Sequence, residues 1–109
     1  MLQMMLVGKS LAEMIGTFAV IFVGGSSILL AERFPNIFPS FGVAATFGLM
    51  ITLMILAFGY LSGAHFNPAV TLAFAVAGRF PASEVLFYWL GQSAGGLFAA
   101  GLLIMLRRI

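Results

Sequence analysis

Cysteine is absent from the 109 residues, which excludes disulfides, thiolate metal sites and a cysteine nucleophile. Charge is nearly absent too. Asp, Glu, Lys and Arg make up 7% of the chain, five basic residues against three acidic, while 62% is hydrophobic. At a mean hydropathy of +1.17, so few charges cannot coat a soluble core, and the chain is not a soluble domain. The formal net charge of +2 is too small and too scattered for a nucleic-acid footprint. One histidine without an acidic partner in its own segment, and no cysteine, leave no workable catalytic set. An enzyme is therefore not expected, nor a metal site or a cofactor.

What is present is long apolar runs. Met1 to Ser10 reads as a short apolar lead carrying Lys9, and Leu11 to Leu30 as a 20-residue apolar run interrupted only by Glu13. A cleavable signal would be shorter and end in small residues, so this is expected to be a retained transmembrane helix at about 11–31. Glu32 to Ser40 is a loop punctuated by Pro35 and Pro39. A second span follows at about 41–61, with Gly42, Ala44, Ala45, Gly48 and Gly59 permitting close helix approach. Gly78-Arg79-Phe80-Pro81 is a turn, and Ser83-Glu84 reads as an N-cap with a carboxylate in the first turn. The third span, about 84–106, ends at Arg107-Arg108 and carries Gln92 and a Gly91-x-x-x-Gly95 motif. Tyr88 and Trp89 lie too deep for an interfacial belt and are expected to be packing residues.

Between the second and third spans lies the one polar, turn-forming stretch of a tract that has no Asp, Glu, Lys or Arg from Phe34 to Gly78. It reads Ser62-Gly63-Ala64-His65-Phe66-Asn67-Pro68-Ala69-Val70-Thr71. Ser62 and Gly63 break the preceding helix, and the residue before Pro68 is pushed out of the α region. Asn67 then serves as N-cap and Pro68 as first helical residue of a helix over about 67–77, stopped by Gly78. At roughly 15 Å that helix crosses only half of a ~30 Å hydrocarbon core. A broken backbone at that depth is tolerated only where protein buries it or a wet cavity satisfies it. The carbonyls of Ser62, Gly63, Ala64, His65 and Phe66 would be acceptors, the Asn67 amide a donor, with the positive helix end beside them. An Asn-Pro turn that merely starts a short buried helix is the plainer alternative.

The stretch resembles, almost letter for letter, the SG-A-H-x-NPAVT signature in the first half of the aquaporin and glycerol-facilitator family. Ala12-Glu13-x-Ile15-Gly16-Thr17 is similar to the family's AE-x-IGT opening, and Tyr88-Trp89 with Gly91-Gln92 and Gly95 to its Y-x-x-A-Q-x-x-G. The resemblance covers Ala12 to about Leu106. The Gly78–Pro81 turn is nearest in flavour to the nodulin-like and bacterial solute-channel branch. The resemblance implies an all-α membrane protein with three transmembrane helices and one re-entrant half-helix, a single half repeat over residues 1–109. Asn67, Pro68 and Ala69 would be the pore motif, and the carbonyls of Gly63, Ala64, His65 and Phe66 would line the pore. Glu13 would brace the loop around His65, its alternative being an interfacial position one turn from Lys9. Phe47, Ala64 and Val70 become filter candidates, although Phe47 could equally be one packing phenylalanine among twelve.

The chain departs from the family in holding one repeat where the family has two inverted ones. It has no second Asn-Pro motif and no detectable internal repeat, and nothing matches the family's filter arginine; Val70 follows Asn67-Pro68-Ala69. Lys9 and Arg79 share one side of the expected topology and Arg33, Arg107 and Arg108 the other, which sets no clear orientation. That balance suits a dual-topology protein and a truncated fragment alike. Three readings follow. One is a passive channel for water or small neutral solutes such as glycerol, formed by self-association as an antiparallel homodimer or larger assembly. Another is half of a split or truncated channel that needs a complementary chain, and the third is a non-conducting assembly module. Lipid is the expected surrounding and the cell (plasma) membrane the expected location.

Overall fold

In the computed structural model, which describes residues 2–109, three long helices and one short one account for nearly all of the chain. Helix α1 spans Leu2–Arg33, α2 Ser40–Ser62, α3 Pro68–Val76 and α4 Val85–Arg107, with a single 3-10 turn at Ala82–Glu84 before α4. No strand occurs among the described residues. Three segments are long and apolar enough to cross a bilayer: Met4–Arg33, Ser40–Ser62 and Ala82–Arg107.

The first helix differs from the sequence reading. No boundary separates a lead from a span; α1 is continuous from Leu2 and runs on to Arg33, past the point where the loop was expected to begin. Leu, Met, Gln and Lys are good helix formers, and an isolated Gly8 costs only ~1 kcal/mol, too little to stop propagation. At 32 residues α1 is roughly 48 Å long and sets the 50 Å long axis of the molecule.

Helix α1 is the spine, with α4 along one side and α2 along another. It runs parallel to α4. Near their starts Ser10 Oγ donates to the Phe87 carbonyl at 2.8 Å and Lys9 Nζ lies 3.3 Å from Glu84 Oε1, while Gly25 faces Leu103 near their ends. The face of α4 against α1 consists of Tyr88, Gly91, Gln92, Gly95 and Ala99. At Gly91 and Gly95 the backbones approach so closely that a Cβ would strike the carbonyl oxygens of Ser10 and Met14. The Gly-x-x-x-Gly motif is thus the α1–α4 seam, where small residues replace side-chain packing with backbone contact. Hydroxyls inside the apolar helices bond back one turn, as Thr46 does to Gly42 (2.7 Å) and Thr52 to Gly48 (2.8 Å).

Two expected caps differ. Ser83 does not cap α4 but lies inside the 3-10 turn; the N-cap position falls to Glu84, whose side chain makes no cap and reaches Lys9 instead. Residues 82–84 tighten into a 3-10 turn rather than opening α4 directly. Helix α2 includes Ser62 and ends at Gly63, whose φ of 85° is the left-handed turn that terminates it. Ser62 is the one fully buried residue of α2; the side of the helix towards α1, Phe47 included, is half-buried and the rest is an outer face of this chain.

Candidate functional site

The segment after α2 turns sharply because three of its residues adopt the left-handed region: Gly63 (φ 85°), Ala64 (φ 55°) and Phe66 (φ 52°). For Ala64 and Phe66 that conformation costs roughly 1–2 kcal/mol each. Its effect is to aim consecutive amides inward, as in an anion-binding nest. The Ala64 amide donates to Ser62 Oγ at 3.1 Å, the His65 amide to Glu13 Oε2 at 3.1 Å and the Phe66 amide to Glu13 Oε1 at 2.7 Å.

Glu13 is fully buried and receives two further donors, Ser62 Oγ at 2.7 Å and Gln92 Nε2 at 2.8 Å. Each carboxylate oxygen therefore accepts two hydrogen bonds, which fills its lone-pair capacity. Lys9, the other partner open to Glu13 in the sequence, is engaged by Glu84. Phe66 is buried with its ring over the Cα of Gly16, where any Cβ would collide with it.

With the amides turned inward, the carbonyls of Gly63, Ala64, His65 and Phe66 accept no hydrogen bond among the described residues. The Ser62 carbonyl, expected to share that role, does not: Tyr88 Oη donates to it at 2.5 Å. At the other end of the segment Trp89 Nε1 donates to the Pro68 carbonyl at 3.1 Å. Tyr88 and Trp89, expected only to pack, thus tie both ends of the broken backbone to α4.

Asn67 is the N-cap of α3, its φ of −161° extended and its Oδ1 accepting from the Ala69 amide at 2.8 Å. That leaves Nδ2 on an exposed side chain without a partner among the described residues. Pro68 occupies the first helical position and Ala69 is exposed, while Val70 and Ala64 are half-buried. Phe47 lies elsewhere: its half-buried ring sits against Gly24 of α1, where a Cβ would meet it.

The His65 ring is held by contacts of two kinds. Nδ1 lies 2.9 Å from Thr71 Oγ1, and the ring centroid lies 5.0, 4.8 and 5.1 Å from those of Phe74, Phe80 and Tyr88. Thr71 is fully buried and also accepts from Gln92 Nε2 at 2.9 Å. Gln92 therefore bridges Glu13 below the broken segment to Thr71 within α3. Its Oε1 and the hydroxyl of Thr17, one turn along α1 from Glu13, are buried without partners among the described residues.

Gln92 is a site residue to which motif reading gave no role. The signal that could have found it is the spacing Tyr88, Gln92, Gly95, Ala99, a single helix face on which the one long polar side chain must find partners.

The family model for the major intrinsic protein matches residues 1–108. The chain is 43% identical over 99 residues to a probable aquaporin NIP-type of Nicotiana alata, covering 90% of this chain and 36% of that protein. It is 44% identical over 102 residues to aquaporin Z of Brucella melitensis biotype 1, covering 93% and 45%. It is 41% identical over 98 residues to nodulin-26 of Glycine max, covering 90% and 36%. The chain thus spans less than half the length of these relatives, and their near-equal identities do not separate a nodulin-like branch from a bacterial one.

Proposed function

The chain belongs to the major intrinsic protein family, and from that premise we propose that it forms half of a passive membrane channel for water and small neutral solutes of the glycerol type. The observation that carries the proposal is the polarity of the broken segment. Its amides converge on Glu13 and Ser62, so the carbonyls of Gly63 to Phe66 and the Asn67 amide group form an uncharged row of acceptors and a donor. Such a row replaces the hydrogen bonds of a permeating hydroxyl without supplying a fixed charge. The N-terminal end of α3 beside it disfavours cations and protons. Glu13 acts here as the brace that keeps the row in place, and the His65 backbone as part of what it braces.

Lipid cannot satisfy that row, so further protein must shield it from lipid and enclose a wet cavity in front of it. In inverted-repeat channels the cover is a second half-helix meeting the first near the midplane. An inverted copy of this chain would supply it, with Val70 of each copy at the narrowing. The second reading is half of a split or truncated channel, in which a complementary chain contributes the other half-helix.

Liposomes containing only this protein test the proposal by stopped-flow light scattering. The expected result is faster water or polyol equilibration without ion conductance. Inserted protein with permeability equal to empty liposomes refutes the self-sufficient channel. Reporters at Met1 and Ile109 then separate the two covers: exposure of each terminus on both membrane faces supports the inverted copy, and each terminus confined to one face supports a complementary chain.

A further inference from the structure

Far from the Asn67 segment, α1 and α4 end side by side around a cleft of about 440 Å³. Its apolar wall comes from Leu29, Leu30 and Leu106, with Phe34 at the rim. Arg33 and Arg107 stand at its mouth, each in the last turn of its helix. Among the described residues the one ion pair is Lys9–Glu84, so neither guanidinium has a carboxylate within salt-bridge distance, although Glu32 also borders the cleft. Ser26, the remaining polar group of the lining, spends its hydroxyl on the Phe22 carbonyl at 2.7 Å.

A cation in the last turn of a helix complements the negative end of its dipole, which accounts for each arginine alone. It does not account for two of them bracketing one leucine-walled cleft at the end of two parallel spans. That combination has the chemistry of a lipid terminus: a planar fork of donors matches phosphate oxygens, and the leucines continue downward as a surface for acyl chain.

We propose that this cleft binds the phosphate of an anionic phospholipid, with Arg33 and Arg107 as its donors and the Leu29, Leu30 and Leu106 wall against its acyl chain. Glu32 leaves the three charged groups of the lining net positive, so an anionic headgroup is preferred over a zwitterionic one, whose own ammonium competes for the arginines' field. The site is independent of the transport reading, since it shares no residue with the Asn67 segment.

Native mass spectrometry of the full chain tests this, with the protein stripped of lipid in a neutral detergent and titrated with phosphatidylglycerol or phosphatidylcholine of the same acyl chains. Half-saturation is expected at a concentration on the order of tenfold lower for phosphatidylglycerol. The difference should vanish in the Arg33→Gln/Arg107→Gln double variant and persist in Arg79→Gln, which removes a cation at the opposite end of the bundle. Equal binding of the two lipids, or a preference that survives the double variant, overturns the proposal. So does competition by glycerol phosphate as strong as that by phosphatidylglycerol, which would assign the cleft to a soluble anion. If the double variant loses its helical circular dichroism, Arg107→Gln alone is read in its place. A preference reduced to about threefold then supports the site, and an unchanged one overturns it.

Discussion

Replacing Glu13 by glutamine tests the centre of the arrangement, because it changes one oxygen to an amide and almost nothing in volume. The wild-type carboxylate accepts from Ser62 Oγ, the His65 and Phe66 amides and Gln92 Nε2. A glutamine NH2 at the Oε1 position would face the Phe66 N–H, which can only donate, and Gln92, which could accept only by turning its unpartnered Oε1 towards it. At the Oε2 position it would face the Ser62 hydroxyl, which can turn around to accept, and the His65 amide, which cannot. Either orientation therefore orphans one backbone amide, Phe66 in the first and His65 in the second. An orphaned buried donor costs roughly 1–3 kcal/mol, and the three remaining charge-assisted bonds falling to neutral strength lose about 1 kcal/mol each. The sum, about 4–6 kcal/mol, equals or exceeds the ~2–4 kcal/mol of left-handed strain in Ala64 and Phe66 that the carboxylate holds in place. The segment is expected to open locally while the three long helices persist. Hydrogen–deuterium exchange on the peptide containing Ser62 to Phe66 is the assay, with α1 and α4 as internal references. Protection should fall on the order of 10²–10³-fold in Glu13→Gln. A change smaller than about threefold, with helical content retained, would show that the carboxylate does not hold the segment.

Four further outcomes are expected. Tyr88→Phe removes the phenol from the Ser62 carbonyl and should lower stability by about 1–2 kcal/mol, read as a lower thermal midpoint in detergent, and no shift would mean that bond contributes nothing. Gly16→Val places a side chain where the Phe66 ring sits, and should cost about 3 kcal/mol or more and abolish transport; a stable, active variant would contradict the close contact. Asn67→Asp puts a carboxylate at the positive end of α3 and should admit cations or raise proton leak in liposomes, whereas unchanged solute flux without ion current would reduce Asn67 to a cap. Val70→Arg should cut polyol flux more than water flux, and equal loss of both would place Val70 off the pore.

The parts legible in the sequence are those written locally. Asn67 and Pro68 announce α3 because capping and proline geometry involve neighbouring residues only, and α3 begins at Pro68. The apolar lengths announce the spans. What sequence leaves open is which face meets which. Glu13 lies 49 to 79 residues from its side-chain donors, and only the cost of a carboxylate inside an apolar run says that donors must exist. The left-handed conformation of Ala64 and Phe66 carries no local signature, since neither is the Gly or Asn that usually adopts it. Tyr88 closes on Ser62 for the same non-local reason, and so the Ser62 carbonyl reads as a pore group until α4 is in place. At the far end of α1, helix-forming side chains outvote the single Gly8, and the expected boundary disappears.

The carboxylate also imposes an order on assembly. Glu13 is synthesised first among its partners, and its contacts close loops of 49, 52, 53 and 79 residues. At ribosomal rates of about 5–20 residues per second, Gln92 follows Glu13 by roughly 4–16 s. During that interval α1 holds an acidic group in an apolar helix, first without donors, then with those of α2 and the turn after it, and finally with that of α4. The last contact, from Gln92, fills the remaining acceptor site and reaches Thr71 with its second hydrogen. A half-built chain thus leaves one Glu13 oxygen a donor short and the Ser62 and Pro68 carbonyls without Tyr88 and Trp89, so the third span works as a latch: until it docks, Glu13 has three donors rather than four and neither end of the broken segment is tied.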